Sequence, residues 1–276
     1  VSDDYAVVMD SGGDPIRPEH EKHMVVPMNI LFDGGTYTYP GDLTREDVTN
    51  TILQRKPGEV RTSQPSPKQI ISAIEATGAE NVLYITLSSG LSGTFNSAVV
   101  ASRLLEKKGI RMIPFDSKSV SAAMGYLLAR ALELKAAGMS LNEVLRELER
   151  VRENLVARFA IPTLDYLVAG GRLDPFKAAI AKLVGIRPIL WINRDGAIDV
   201  EETVRSKDLW KHFAGGVCGD AYLVKGPRAD REFEAAKKEL EGRGIKIRGV
   251  LELSPVILVH TGLEIVGELH YDGCER

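Results

Sequence analysis

Cysteine is nearly missing from this chain: two in 276 residues, Cys218 and Cys274. They fit neither a Cys-x-x-Cys pair nor a metal-ligand spacing, so no disulfide framework or zinc site is expected, and a reducing compartment is. Net charge is also scarce. With 35 basic and 38 acidic residues the formal charge is −3, which provides no global basic field for nucleic acid or an anionic membrane. No apolar run approaches the ~20 residues a membrane helix needs. The opening Val1-Ser-Asp-Asp-Tyr-Ala-Val-Val carries no basic, long-apolar leader. Internal repeats, low-complexity tracts and a Gly-x-x-x-x-Gly-Lys-Ser/Thr phosphate loop are all missing. These absences leave a cytoplasmic globular protein as the expectation, and 44% hydrophobic with 26% charged residues is the composition of one.

What is present is an alternation of apolar runs, polar loops and helical periodicity. Strands are expected at Tyr5–Met9, Met24–Phe32, Asn81–Leu87 and Arg111–Phe115, and helices at 44–54, 67–77, 94–108 and 124–137. This βα order predicts an α/β fold with a mostly parallel sheet in the N-terminal part. Ligands then gather at the carboxyl ends of the strands, where Asp10-Ser11, Ser88–Thr94 and Asp116-Ser117 fall. An amphipathic helix follows over 140–154. The later pattern predicts a strand over 159–162, short helices over 164–169 and 177–183, and a hairpin around Arg194-Asp-Gly196. Helices over 206–213 and 230–243, a strand over 220–224 and a last apolar strand at Val256–His260 complete it. The change of pattern places a domain boundary near 150–165, giving α/β domains at 1–160 and 161–276.

The segment Ser88-Ser-Gly-Leu-Ser-Gly-Thr94 is the most informative. Four hydroxyls and two glycines stand between a strand and a helix, more than one N-cap requires. Such a junction aims free backbone N–H groups at one point and suits a phosphate or a carboxylate. Thr62, Ser63 and Ser66 precede another helix and are either caps or ligand contacts. Asp10 and Asp116 are catalytic or metal carboxylates, or caps of the helices that follow. Gly90-Leu-Ser-Gly-Thr94 nearly matches the Gly-x-Ser-x-Gly nucleophile elbow, but Thr94 replaces the last glycine. A serine hydrolase or acyl transferase using Ser92 and His260 is therefore one reading, with no evident acid to orient the histidine. An α/β protein binding a phosphorylated metabolite through the same loop is another.

Together these segments resemble the DegV family of fatty-acid-binding proteins, which includes the acyl-carrier subunit of bacterial fatty acid kinase. The carriers of the resemblance are Asp10-Ser-Gly, Thr62-Ser-Gln-Pro-Ser66, Ser88–Thr94 and Asp116-Ser117. Thr163-Leu-Asp-Tyr-Leu167, Gly170-Gly-Arg172, Arg187-Pro-Ile189 and Val204-Arg205 extend it. One departure stands out: after His260-Thr-Gly262 the family continues with proline and a glycine-containing stretch, where this chain has Leu263-Glu-Ile-Val-Gly267. The resemblance implies two α/β domains with a ligand tunnel between them, and a bound long-chain fatty acid such as palmitate, stearate or oleate. It assigns the carboxylate to Thr62 and Ser92 with the Gly93 amide, and brings His260 toward it. Ser63, Ser89, Arg172 and Arg205 are secondary candidates, the two arginines for the phosphorylated product or the partner. It further implies a lipid-binding carrier rather than an enzyme: no metal, no cofactor, no catalytic residue and no nucleic acid. The implied partner is a separate fatty acid kinase catalytic subunit, with transient membrane contact.

Overall fold

A computed structural model describes residues 4–175 and 185–272. The chain divides into two compact units: Val1–Thr44 with Thr62–Glu153, and Arg45–Arg61 with Asn154–Arg276.

The first unit is built on a parallel sheet. Strands β1 (Ala6–Asp10), β2 (Met24–Val26), β6 (Asn81–Thr86) and β7 (Arg111–Asp116) lie in the order β2-β1-β6-β7, and every pairing is parallel. A second, three-stranded sheet has the order β4-β3-β5, from β3 (Met28–Phe32), β4 (Gly35–Tyr39) and β5 (Arg61–Ser63). The single strand expected over Met24–Phe32 is thus two strands in two sheets. Pro27 separates them because it has no N–H for a ladder. The Met28 N–H then turns to Ser11 Oγ, at 3.0 Å.

Helices α2 (Pro67–Glu75) and α3 (Thr94–Glu106) pack on the parallel sheet. Ile70, Ile74, Ala98, Ala101 and Leu105, at helical spacing, meet Val8, Val26, Val82 and Tyr84 in one buried cluster. Ser66 starts α2 through a capping box: Gln69 N–H donates to Ser66 Oγ, and Ser66 N–H donates to Gln69 Oε1. Helices α4 (Ala122–Ala136) and α5 (Leu141–Asn154) complete this part, α5 burying Leu141, Val144, Leu148 and Val151.

The second unit carries a six-stranded sheet of order β10-β9-β8-β13-β11-β12. Its strands are β8 (Leu155–Ala160), β9 (Ile186–Ile192), β10 (Ile198–Arg205), β11 (Ala221–Lys225), β12 (Ile247–Glu252) and β13 (Val266–Tyr271). Only β11 and β12 pair in parallel; the hairpin β9–β10 turns at Arg194–Gly196, as its sequence foretells. Among the described residues its helices are α1 (Arg45–Leu53), α6 (Asp165–Ala169), α7 (Leu209–Gly215), α8 (Asp230–Gly242) and α9 (Pro255–Thr261). The helix expected over Lys177–Leu183 lies outside the described residues.

Two expectations need correction. Val256–His260 is not a strand but the body of α9. Ser254 caps that helix by accepting from the Val256 N–H, and Pro255 holds its first position. An apolar run of five residues carries no period by itself, and the cap decides its state. Cysteine spacing gives no reason to expect a disulfide, yet Cys218 is disulfide-bonded; Cys274 lies outside the described residues.

Candidate functional site

Because β1, β6 and β7 run the same way, the loops after Asp10, Thr86 and Asp116 share one edge of the sheet. Asp10 is fully buried there. It accepts from the Gly12 N–H at 2.9 Å, the Leu87 N–H at 2.8 Å and the Tyr84 hydroxyl at 3.3 Å. Burial, the dominant effect, pushes its carboxyl up to about 6, and the two amide donors pull it back. Asp116 accepts from Ser89 N–H at 3.0 Å, Ser89 Oγ at 2.6 Å and Lys118 N–H at 3.0 Å. Each aspartate therefore ties one loop to another, and neither takes the helix-capping role that its position after a strand suggests. Ser89 spends its hydroxyl on that tie. No group of His, Cys, Asp or Glu suited to a metal ion occurs among the described residues.

The Ser88–Gly93 loop is wound onto itself. Ser88 C=O accepts from the N–H groups of Leu91 and Ser92, at 3.1 and 3.0 Å. Ser88 Oγ accepts from the Gly90 N–H at 3.1 Å. Ser92 Oγ lies 2.8 Å from Thr94 Oγ1 and accepts from the Thr94 N–H at 3.3 Å. Helix α3 then starts at Thr94, with Gly93 as N-cap and no side-chain cap. Its first internal bond runs from the Ser97 N–H to Gly93 C=O, at 3.0 Å. The early N–H groups of such a helix carry the positive end of its dipole. Here they adjoin the hydroxyl of Ser92.

Against this loop lies the Thr62–Ser66 segment. Thr62 and Ser63 end β5, and Gln64 crosses to α3, where its Nε2 donates to Ser97 Oγ at 3.0 Å. Gly93 leaves the room for it: a Cβ there would overlap the Gln64 carboxamide. The structure thus brings Thr62, Ser63, Ser92 and Gly93 into one part of the first unit, while Ser66 is occupied as the α2 cap. Two residues of this region have no role in the sequence reading. Gln64 stands within a motif that draws attention only to its hydroxyl neighbours. Asn29, buried in β3, donates through Nδ2 to Ser63 Oγ at 3.3 Å and to Gln64 C=O at 3.2 Å, and its Oδ1 accepts from Gln69 Nε2 at 2.8 Å. Its signal in the sequence is a lone amide inside the apolar run Met24–Phe32.

In the second unit His260 occupies the last turn of α9. It packs on Gly170, where an added Cβ would strike the imidazole Nδ1 and lie 3.1 Å from Tyr166 C=O. Arg172 donates to the Gly170 C=O, so Gly170 links the two. Burial, and then the positive charge of Arg172, push the His260 imidazole down to about 4. It is neutral at pH 7. Burial lowers the Arg172 guanidinium as well. Arg205 is exposed at the end of β10, opposite Ile186, and makes no hydrogen bond or ion pair with Arg172 or His260 among the described residues.

These features define an α/β protein with a loop of hydroxyls and amides at the carboxyl edge of a parallel sheet. The chain belongs to the DegV family: the family model described as "Uncharacterised protein, DegV family" matches residues 4–271. It is 34% identical over 186 residues to a DegV domain-containing protein of Staphylococcus aureus, a match spanning 67% of this chain and 64% of that protein. Less than two thirds of that relative's length is therefore matched. Among solved structures it resembles a fatty acid binding DegV family protein from Streptococcus agalactiae, with TM-score 0.83, 26% identity and 96% and 98% of the two chains covered. A DegV family protein from Thermus thermophilus, described for its fatty acid binding, superposes with TM-score 0.80 at 28% identity, covering 97% and 99%.

Proposed function

We propose that this protein binds one long-chain fatty acid and presents its carboxylate to a separate fatty acid kinase subunit, acting as a carrier and not as an enzyme. The observation that carries this is the meeting of the Thr62–Ser66 segment with the Ser88–Gly93 loop at the start of α3. Family membership and the fatty acid binding named for its structural relatives support the choice of guest. Thr62 and Ser92 hydroxyls, with the Gly93 N–H, hold the head. The resemblance adds His260, whose neutral imidazole can give a hydrogen bond without placing a charge on the carboxylate.

The energetics suit a carrier. Burying a sixteen-carbon chain gains about 12 kcal/mol gross at ~0.8 kcal/mol per CH₂, part of which is offset by ordering. The tail supplies affinity, and the head needs only donors enough to avoid an unpaired carboxylate. A lysine or arginine clamp would neutralise the oxygen that must attack ATP; hydroxyls leave it nucleophilic. An ATP-dependent partner places the carrier in the cytoplasm, with brief visits to a membrane surface to load. Among the described residues no helix is long and apolar enough to cross a membrane.

Ser92 bears on the hydrolase reading too. Its hydroxyl is engaged with the hydroxyl and amide of Thr94 rather than with a base, so a fluorophosphonate probe should leave it unlabelled. The direct experiment is native mass spectrometry of protein purified from a bacterial host, followed by lipid extraction. A retained palmitate, stearate or oleate is the expected result. A fatty-acid-free protein that also fails to take up added palmitate defeats the proposal. So does a Thr62→Ala, Ser92→Ala double variant whose bound carboxyl group is unchanged by ¹³C NMR, as far as the site is concerned.

A further inference from the structure

We infer that Asn29 is the positioning residue of the fatty-acid head-group loop: it sets where Thr62 stands relative to the start of α3, without touching the ligand. The inference rests on the proposed binding of a fatty-acid carboxylate.

The Asn29 side chain is buried, near the start of β3. A buried amide needs partners, and each of its partners belongs to the segment in question or to the helix that follows it. Both Nδ2 bonds go to consecutive residues of that segment, the Ser63 hydroxyl and the Gln64 carbonyl. The Oδ1 takes the Gln69 side-chain Nε2, while the Oε1 of the same carboxamide caps Ser66. Gln64, fixed by its backbone at Asn29, reaches across with its side chain to Ser97 on α3. The chain of contacts therefore runs from β3 through Asn29 to Ser63, Gln64 and Ser66, and from Gln64 into the first turn of α3. Thr62 is covalently next to the first of these, and Gly93 lies against Gln64.

Such an arrangement has a purpose if the head is held by geometry rather than by charge. Hydroxyl donors lose their hydrogen bonds within a few tenths of an ångström, so a carboxylate held by Ser and Thr needs its loops fixed by something else. Asn29 supplies two donors and one acceptor in one rigid plane. Asn29→Asp would set a carboxylate oxygen against the Gln64 carbonyl where a donor now stands. Asn29→Leu would fill the space and leave three polar groups unanswered.

The test is ¹³C NMR of [1-¹³C]palmitate bound to the full chain. Wild type should give one sharp carboxyl resonance displaced from that of free palmitate. Asn29→Ala should move it toward the free position or split it, while palmitate affinity, set by the tail, changes less than about fivefold. Gln69→Ala, which removes only the donor to Oδ1 and the Ser66 box, should move the resonance in the same direction by less. Gln69→Ala also keeps the inference open to refutation if Asn29→Ala fails to fold. An unmoved resonance in both variants, alongside a clear shift in Thr62→Ala, overturns the positioning role and leaves the binding reading intact. No bound palmitate in wild type overturns both.

Discussion

Gly93→Ala separates the geometry of the head-group loop from the stability of the fold. The Gly93 backbone, at φ −74° and ψ 5°, suits any residue, so the substitution carries no conformational strain. Its Cβ instead overlaps the Gln64 carboxamide, whose Nε2 would be only 2.7 Å away. Gln64 is exposed and can swing out, at the loss of its bond to Ser97, about 1 kcal/mol. Against that loss, replacing glycine by alanine at a permitted φ/ψ gains ~0.4–1 kcal/mol through the unfolded chain. The unfolding free energy in urea should therefore stay within about 1 kcal/mol of wild type. The loop loses one anchor, and palmitate affinity by calorimetry, set mainly by the tail, should fall about threefold, the equivalent of ~0.65 kcal/mol. Gln64→Ala should do the same, and Gly93→Ala made on top of it should add nothing, because the two act through one contact. Additive losses, or full affinity in Gly93→Ala with Gln64 displaced, would show that the Gln64–Ser97 contact does not anchor the loop.

Gly125→Ala is the contrasting case: its Cβ would run into the Asp14 carbonyl and lie 3.0 Å from the Ile16 N, backbone that cannot swing away, and a loss of about 1–3 kcal/mol is expected in the same urea assay. For pH, His260 has a folded value near 4 against 6.5. The unfolded chain then binds more protons between those values, and stability falls as pH drops from 6.5 toward 4. His260→Gln should remove up to about 3 kcal/mol of that fall; parallel pH–stability curves for variant and wild type would contradict it. Asp10 is opposite in sign: its carboxyl, raised from 3.8 to about 6, makes the folded chain bind more protons between those values, so urea curves for Asp10→Asn should show the greatest gain above pH 6 and the least below 3.8. Arg172→Glu should impair acyl-phosphate formation with a purified partner kinase while palmitate binding is retained, and intact formation rules out a role for Arg172 toward product or partner.

Much of the first unit is legible along the chain. Strand-forming runs that stop at Asp10, Ser88 and Asp116 mark out the parallel order and the edge where its loops collect. Ser66-Pro67 with Gln69 announces the start of α2, because a cap, a proline and a box are local chemistry. The second unit is harder: most of its strands are not joined by βα units in simple succession, and β13 enters between β8 and β11 from the far end of the chain. The Val256–His260 run misleads because it is apolar without a period, although Ser254-Pro255 before it and Gly262 after it mark a helix.

The composition class, the βα alternation, the hydroxyl-rich turns and the family are all legible along the chain, because each resides in short stretches with their own local physics. Tertiary structure alone decided which of those hydroxyls are already engaged. Ser89 is bound to Asp116, Ser66 to Gln69 and Ser92 to Thr94. It also decided that Asn29, far before Thr62 in the chain and silent in every motif, meets Ser63 and Gln64. A hydrogen bond depends on distances of a few ångströms between residues remote in sequence, and only the folded backbone sets them.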